Sequence, residues 1–279
     1  MIETKKPNLV THPELMKNIY KLCEKIEKGF FNIVLVFGPT RAGKSTLTMQ
    51  MAQEMAHKLK VPFDVDNIHF DAELLMKDMQ KGVRRGVFQL DEAAFNAKGI
   101  DWQNEVQKNL IKYVDTAAKY NQTLFILIPY IEELKYRFIR DEHTRLCEVS
   151  FNRNTLERGM AKLYTYFDGL MLYDLLKKKQ FYKAHKISYK QVKFTSETGS
   201  IDMIEYERKK DEAIQNIGKE SENHVKGKRN EKKWQKRTIT LAKYLIDEHN
   251  MTQAQVAELL DIARPTLSLL FDNKKETMV

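Results

Sequence analysis

A chain of 279 residues in which 42% are apolar and 30% are charged can fold around a substantial core, and this composition argues against a disordered protein. The net charge of +9 favours a polyanionic partner, and the two cysteines, which lack metal-ligand spacing, argue against a disulfide framework. The longest apolar runs are much shorter than the ~20 residues of a membrane-spanning helix, and no signal-peptide pattern opens the chain. We therefore expect a cytoplasmic protein without membrane insertion.

The first predicted elements are a helix at residues 13–28 and an apolar strand at residues 31–37. The eight residues after this strand fit the Walker A pattern, in which two glycines, a lysine and a serine have fixed positions. They are Gly38, Pro39, Thr40, Arg41, Ala42, Gly43, Lys44 and Ser45. A glycine-rich turn between a buried strand and a helix directs backbone N–H groups and the positive end of the helix dipole towards a phosphate. The pattern predicts binding of a nucleoside triphosphate, for which we expect ATP.

Three side chains at the start of the following helix have specific predicted roles. Lys44 is placed to contact the β- and γ-phosphates, the Ser45 hydroxyl to bind Mg²⁺, and Thr46 to donate to the α-phosphate. The alternative is a glycine loop that contains a lysine by chance. The strand before the loop and the helix after it disfavour that alternative.

A second motif ends the apolar strand predicted at residues 86–90. Asp91 follows this strand, where its carboxylate would hold Mg²⁺ beside Ser45. Glu92 is next in the chain, where it can orient and deprotonate a water in line with the γ-phosphate. An apolar run that ends in two acidic residues is weak evidence alone, because many strands end in acidic turns. Its position after Lys44, with one strand and two helices predicted between them, identifies it as a Walker B motif.

Strands and helices continue to alternate beyond this motif. The predicted elements are a helix at 102–120, a strand at 123–128, strands at 146–151 and 161–167, and a helix at 170–179. This alternation predicts a doubly wound, mostly parallel α/β sheet that binds its ligand at the carboxyl ends of the strands. We assign the P-loop ATPase domain to residues 1–205.

The composition changes near residue 194, and residues 206–237 form a charged helix followed by a basic linker. Lys232, Lys233 and Arg237 belong to this linker and are candidate contacts to DNA phosphates. A solvated linker kept soluble by its charge is the alternative.

Three helices are predicted in residues 238–279, and a capping box at Thr252 and Gln255 opens the second. The stretch 251–270 resembles the helix-turn-helix of many DNA-binding regulators and resolvases. The resemblance implies a small all-α domain that binds double-stranded DNA, with three candidate contacts near the start of its recognition helix. They are Arg264, Thr266 and Ser268. A three-helix bundle that binds a protein partner is the alternative.

The segment from Gly38 to about Arg145 resembles the P-loop ATPases that have a glutamate next to the Walker B aspartate. The order of its elements is most similar to the HerA/FtsK-like DNA-pumping ATPases. This resemblance implies a homo-oligomer, such as a ring, in which an arginine after the fourth strand contacts the γ-phosphate bound to a neighbouring subunit. Arg140 and Arg145 are the candidates for that arginine, with surface ion pairs as the alternative role.

Three functions remain open on the sequence. The first is a Mg²⁺-dependent ATPase that moves, packages or remodels DNA for a mobile element, plasmid or virus. The second is a helix-turn-helix regulator in which ATP acts mainly as a switch and turnover is slow. The third is a P-loop kinase, which Glu92 and the DNA-binding tail disfavour, because a kinase needs an acceptor pocket rather than a carboxylate that activates water.

Overall fold

The computed structural model describes residues 9–91, 108–113, 118–152, 154–215, 238–242, 244–247, 251–260 and residue 262. The chain divides into two compact units, Met1–Ile217 and Gly218–Val279. The first unit takes in a helix at residues 203–215, most of which the sequence analysis assigned to a charged helix outside the ATPase domain.

A seven-stranded sheet forms the centre of the first unit. Its strands are β1 (Asn32–Phe37), β2 (Ile68–His69), β3 (Val87–Leu90), β4 (Thr123–Ile128), β5 (Thr144–Ser150), β6 (Met160–Tyr164) and β7 (Lys190–Lys193). In space they follow the order β2-β3-β4-β1-β5-β6-β7. The pairings from β2 through β5 are parallel, and β6 and β7 add two antiparallel pairings at one edge. The mixed, mostly parallel sheet that the sequence predicts is confirmed.

Helices cover both faces of this sheet. They are α1 (Pro13–Glu27), α2 (Lys44–Leu59), α3 (Ala72–Gln80), α4 (Tyr136–Arg140), α5 (Tyr166–Lys177) and α6 (Phe181–Ala184), with further helical residues at 108–113. Side chains of β1 alternate between the two faces. Ile33, Leu35 and Phe37 pack in a core with α3 and α5, whereas Val34 and Val36 pack in a second core with α1 and α2. Every residue of β1 is therefore buried, as expected for a parallel strand covered on both sides.

Several elements differ from the predicted ones, among them β5 at Thr144–Ser150 and α5 at Tyr166–Lys177, which begin two and four residues earlier than expected. The strand predicted over residues 161–167 ends at Tyr164, because Thr165 caps α5 by accepting a hydrogen bond from the backbone N–H of Asp168. β7 was not predicted, because only Val192 of its four residues is buried and no apolar run marks it. Of the helix predicted over residues 102–120, the described part is helical at 108–113 and forms a 3₁₀ turn at Ala118–Tyr120.

The second unit contains helical residues at 238–242 and 244–247 and a helix at Gln253–Leu259. The predicted capping box is present, since the Thr252 hydroxyl accepts from the N–H of Gln255 and the Gln255 side chain accepts from the N–H of Thr252. Ala242, Val256 and Ala257 form its small core. The third predicted helix lies outside the described residues, so the helix-turn-helix stays a prediction.

Among the described residues, no helix is long and apolar enough to cross a membrane.

Candidate active site

The strand order brings two loops to the same edge of the sheet. β4 lies between β1 and β3, with Phe37 in register with Ile128 and Leu90 in register with Ile126. The residues that follow β1 and β3 therefore leave the sheet at the same edge, on either side of β4. This is the carboxyl edge of the parallel strands, where open α/β sheets bind ligands.

Two features of the Walker A loop require glycine: positive φ angles, and close neighbours that differ between Gly38 and Gly43. Gly38 and Gly43 both have positive φ angles, of 143° and 101°, which strain any other residue. A Cβ atom on Gly38 would lie 2.1 Å from the backbone oxygen of Val149 in β5, and one on Gly43 would lie 3.2 Å from the ring of Phe194. At Gly38 the loop therefore lies directly against the backbone of β5.

Replacing Gly38 should therefore cost more stability than replacing a glycine that also has a positive φ angle but open surroundings. Gly29 has φ of 92°, and a Cβ atom added to it would meet no atom within 4 Å, so Gly29→Ala should cost only the strain of the left-handed conformation, about 1–2 kcal/mol. Gly38→Ala should cost roughly 1–3 kcal/mol more because of the overlap with Val149. Urea unfolding of both variants measures the difference, and equal free energies of unfolding would contradict the steric argument.

Lys44 is the first residue of α2, and its side chain lies inside the loop. The residue is only 5% exposed, and its ammonium donates to the backbone oxygens of Gly38 at 2.8 Å and Pro39 at 3.2 Å. A phosphate held by the loop would meet a full positive charge in a site largely closed to water, where charges interact more strongly than in bulk solvent.

Asp91 follows β3 and is 3% exposed. Its Oδ2 atom accepts hydrogen bonds from the Ser45 hydroxyl at 2.9 Å, from the Tyr206 hydroxyl at 2.9 Å and from the Gln89 amide at 3.3 Å. The structure thus brings together Ser45 and Asp91, the two residues that the sequence assigns to a metal ion. Their role towards that ion stays a prediction.

The chemistry of this pair suits Mg²⁺. A hydroxyl and a carboxylate are hard oxygen donors, and proteins commonly hold Mg²⁺ through one or two such groups together with phosphate oxygens and waters. The described residues contain no group of three or more His, Cys, Asp or Glu side chains that could hold a metal ion by themselves. Ser45 and Asp91 therefore fit a metal that arrives with a phosphate ligand better than a permanently bound one.

Sequence reasoning missed Tyr206. It lies 115 positions after Asp91, in a stretch predicted as a charged helix outside the ATPase domain, and no local pattern connects the two residues. Its ring is buried, and burial together with the Asp91 carboxylate raises the pKa of its hydroxyl, which keeps the proton that it donates.

A cavity opens beside the loop. Its volume of 670 Å³ is within the usual size range of small-molecule sites. Six of the nine residues predicted to bind the nucleotide line it: Thr40, Arg41, Gly43, Lys44, Ser45 and Thr46. Asp91 also lines the cavity, as do Arg158 from the loop between β5 and β6 and several residues of the helix at 203–215. Arg158 was not a predicted site residue, because an arginine in a polar loop carries no recognisable signal.

Arg140 and Arg145 lie away from this cavity. Arg145 pairs in register with Val34 near the start of β1, so it lies towards the amino ends of the parallel strands. Its guanidinium donates to the backbone oxygens of Glu142 and Thr144, and burial lowers its pKa. Arg140 ends α4, which precedes β5. Action of either arginine on a neighbouring subunit stays a prediction.

Neither cysteine is available for thiol chemistry. Cys23 in α1 and Cys147 in β5 are free and buried, and burial raises the pKa of each thiol to about 12. Both thiols therefore stay protonated and weakly nucleophilic at neutral pH.

The remaining predicted site residues lie outside the described part of the chain. They are Glu92 and the six candidate DNA contacts, Lys232, Lys233, Arg237, Arg264, Thr266 and Ser268.

The fold and the loop together define the class of protein: an α/β protein with a P-loop after a central parallel strand. No protein-family model matches the chain, and no curated protein sequence does. Among solved structures, the chain is similar to one described as the crystal structure of a DNA replication initiation factor, with 14% identity over 90% of this chain and 74% of that chain. The TM-score is 0.32, and a likeness at that level carries no argument about function.

Proposed function

We propose that this chain is a Mg²⁺-dependent ATPase that acts on double-stranded DNA. The observation that supports the ATPase most directly is the 2.9 Å hydrogen bond between Ser45 in the Walker A segment and Asp91 after β3. Residues far apart in the sequence meet beside a buried lysine, at the edge of the sheet where a phosphate would bind. A hydroxyl, a carboxylate and an ammonium at this edge suit the binding of a metal–nucleotide complex.

Each residue has a distinct task in the proposed reaction. Backbone N–H groups of the loop and the amino end of α2 hold the phosphates, and Lys44 adds a positive charge to them. Ser45 and Asp91 would hold Mg²⁺, which offsets charge on the phosphate oxygens when bound. Glu92 orients the attacking water and accepts its proton. Arg140 or Arg145 would contact the γ-phosphate on a neighbouring subunit of a homo-oligomer.

The proposed action on DNA rests on charge and on the resemblance of the tail. The net charge is +9, and the linker residues Lys232, Lys233 and Arg237 precede the proposed helix-turn-helix. The two-helix core and the capping box of the second unit support that assignment. A bundle that docks a protein partner would use the same small core, so DNA binding has to be measured.

Stimulation of ATP turnover by DNA separates the two main alternatives. A DNA-moving ATPase of the HerA/FtsK-like kind should hydrolyse ATP severalfold faster with duplex DNA. A regulator switched by ATP should turn over slowly whether or not DNA is present. Steady-state phosphate release by the full chain measures this rate. Absence of Mg²⁺-dependent hydrolysis under both conditions would overturn the ATPase proposal.

Truncation tests which unit binds DNA. A chain that ends at Ile217 keeps the whole first unit, so it should fold and bind ATP but lose most of its affinity for duplex DNA.

Substituting Lys232 and Lys233 in the full chain should reduce the salt dependence of DNA binding by roughly one unit of slope for each phosphate interaction that is removed. Arg264→Ala should instead reduce the preference between sequences. Fluorescence anisotropy over a salt series measures all three, and undiminished binding by the truncated chain would place the DNA site on the first unit.

A further inference from the structure

The segment that follows β7 is hydrogen-bonded to the middle of α2. We call residues 194–215 the strap; it consists of an irregular part, 194–202, which includes a turn at Gly199, and the helix at 203–215. The Gln50 amide donates to the backbone oxygen of Glu197 at 2.6 Å, and the Gln53 amide donates to that of Thr198 at 2.8 Å. Both glutamines are buried in α2, so the strap satisfies polar groups that would otherwise be costly to bury.

Tyr206 makes the most deeply buried contact between the helix of the strap and the rest of the first unit. Tyr206 is the only buried residue between 203 and 215, and Ile204 beside it is 86% exposed. The Tyr206 ring packs on Phe70 with 5.4 Å between centroids, and Lys209 forms an ion pair with Asp66 at 2.6 Å. Met203 and Ala213 are partly buried and also pack against the core, so the helix is anchored by one buried aromatic residue within a narrow apolar stripe.

The one buried side chain of this helix ends at the Asp91 carboxylate. The hydroxyls of Tyr206 and Ser45 both donate to Oδ2 of Asp91, each at 2.9 Å. Tyr206 also lines the cavity together with Lys210 from the next turn of its helix. The strap, which lies outside the sheet, thus lines part of the cavity and supplies a hydrogen-bond donor to the Asp91 carboxylate.

We propose that Tyr206 is a positioning residue for Mg²⁺, an inference that rests on the proposed nucleotide site. Its hydroxyl fixes the orientation of the Asp91 carboxylate, so that this group faces the ion that arrives with the nucleotide. Groups that orient metal ligands in this way typically change metal affinity by 10–100-fold when they are removed. Because coupling between two equilibria is reciprocal, binding of Mg²⁺ and nucleotide must in turn stabilise the docked helix of the strap.

Tyr206→Phe tests the role of the hydroxyl while keeping the ring on Phe70. Affinity for a non-hydrolysable ATP analogue is measured by isothermal titration with Mg²⁺ and with EDTA. We expect the Mg²⁺ enhancement of affinity to fall by about tenfold in this variant, with the metal-free affinity unchanged. Tyr173→Phe is the matched control, because Tyr173 is also buried and donates to a backbone oxygen, that of Leu134, in the core formed with α3 and α5.

The possible results distinguish failure of the Tyr206 positioning role from failure of the proposed nucleotide site. Equal Mg²⁺ enhancement in the wild type and in Tyr206→Phe would overturn the positioning role and leave the nucleotide site standing. A wild-type protein that binds no analogue under either condition would overturn both. A loss of melting temperature without a change in Mg²⁺ enhancement would identify a structural role only, and would also overturn the proposal.

Amide hydrogen exchange provides a second test that needs no variant. In the wild type, protection of the amides at 203–215 should rise when Mg²⁺ is added to the analogue-bound protein. Amides of α5, on the opposite face of the sheet, should not respond. Protection at 203–215 that is independent of Mg²⁺ would show that the strap and the metal site are uncoupled, which is incompatible with the proposal.

Discussion

Lys44→Ala is expected to weaken binding of a non-hydrolysable ATP analogue by at least about thirtyfold. Loss of one partner from a buried, hydrogen-bonded charge pair costs about 2–5 kcal/mol, which corresponds to roughly 30- to 5,000-fold in Kd. The ammonium is buried inside the loop at the carboxyl edge of the sheet, where it donates to the backbone oxygens of Gly38 and Pro39. Arg41 also lines the cavity, but at a variable position of the motif.

Isothermal titration measures this effect, and Lys58→Ala is the control. Lys58 lies in the last turn of the same helix, is exposed, and does not line the cavity. Since Lys44 also donates to the backbone oxygens of Gly38 and Pro39, the melting temperature of the variant has to be measured in parallel. Wild-type affinity in a folded Lys44→Ala protein would mean that the loop does not bind phosphates.

Glu92→Gln should abolish most turnover while ATP and Mg²⁺ still bind. An amide keeps the shape of the carboxylate but cannot accept the proton of the attacking water, and loss of a general base typically lowers the rate by about 10²–10⁴-fold. Glu92 itself lies outside the described residues, but it directly follows Asp91, which is buried beside Ser45. Steady-state phosphate release measures the rate, and titration with ATP measures binding.

Two further variants test whether the loss of turnover is specific to Glu92. Asp91→Asn should weaken Mg²⁺-dependent binding rather than the chemical step alone, because Asp91 contacts Ser45 at the proposed metal site. Glu207→Gln removes an exposed carboxylate that lines the same cavity and should keep the wild-type rate. A wild-type rate in Glu92→Gln combined with a low rate in Glu207→Gln would move the general base to the strap and would contradict the Walker B assignment.

Sequence patterns predicted the structure correctly where the backbone or the burial of a short segment restricts which residues can occur in it. A phosphate loop needs positive φ angles at Gly38 and Gly43, so glycine has to occur at fixed spacing and can be recognised in the sequence. β1 and β4 are buried along their whole length, and such strands appear as continuous apolar runs. The parallel α/β sheet follows from the alternation of these runs with helices.

Patterns failed where an element is stabilised by its neighbours instead of by its own composition. β7 is an exposed edge strand held by pairing with β6, so its lysines and glutamine resemble a loop. The charged helix expected after the sheet is present at 203–215, but its sequence did not show that it packs against the core of the first unit. β7 contains too few apolar side chains to show the periodicity on which strand predictions depend.

The sequence by itself therefore determined the phosphate loop, the acidic residue paired with it, and the class of sheet that carries them. Only the tertiary structure decided that Tyr206 and Arg158 reach the cavity, and that Arg145 lies towards the other edge of the sheet. The physical reason is that a motif reports constraints within one short stretch of backbone. Contacts between residues as distant as Asp91 and Tyr206 arise from the order in which strands pair and from the path of the chain across them.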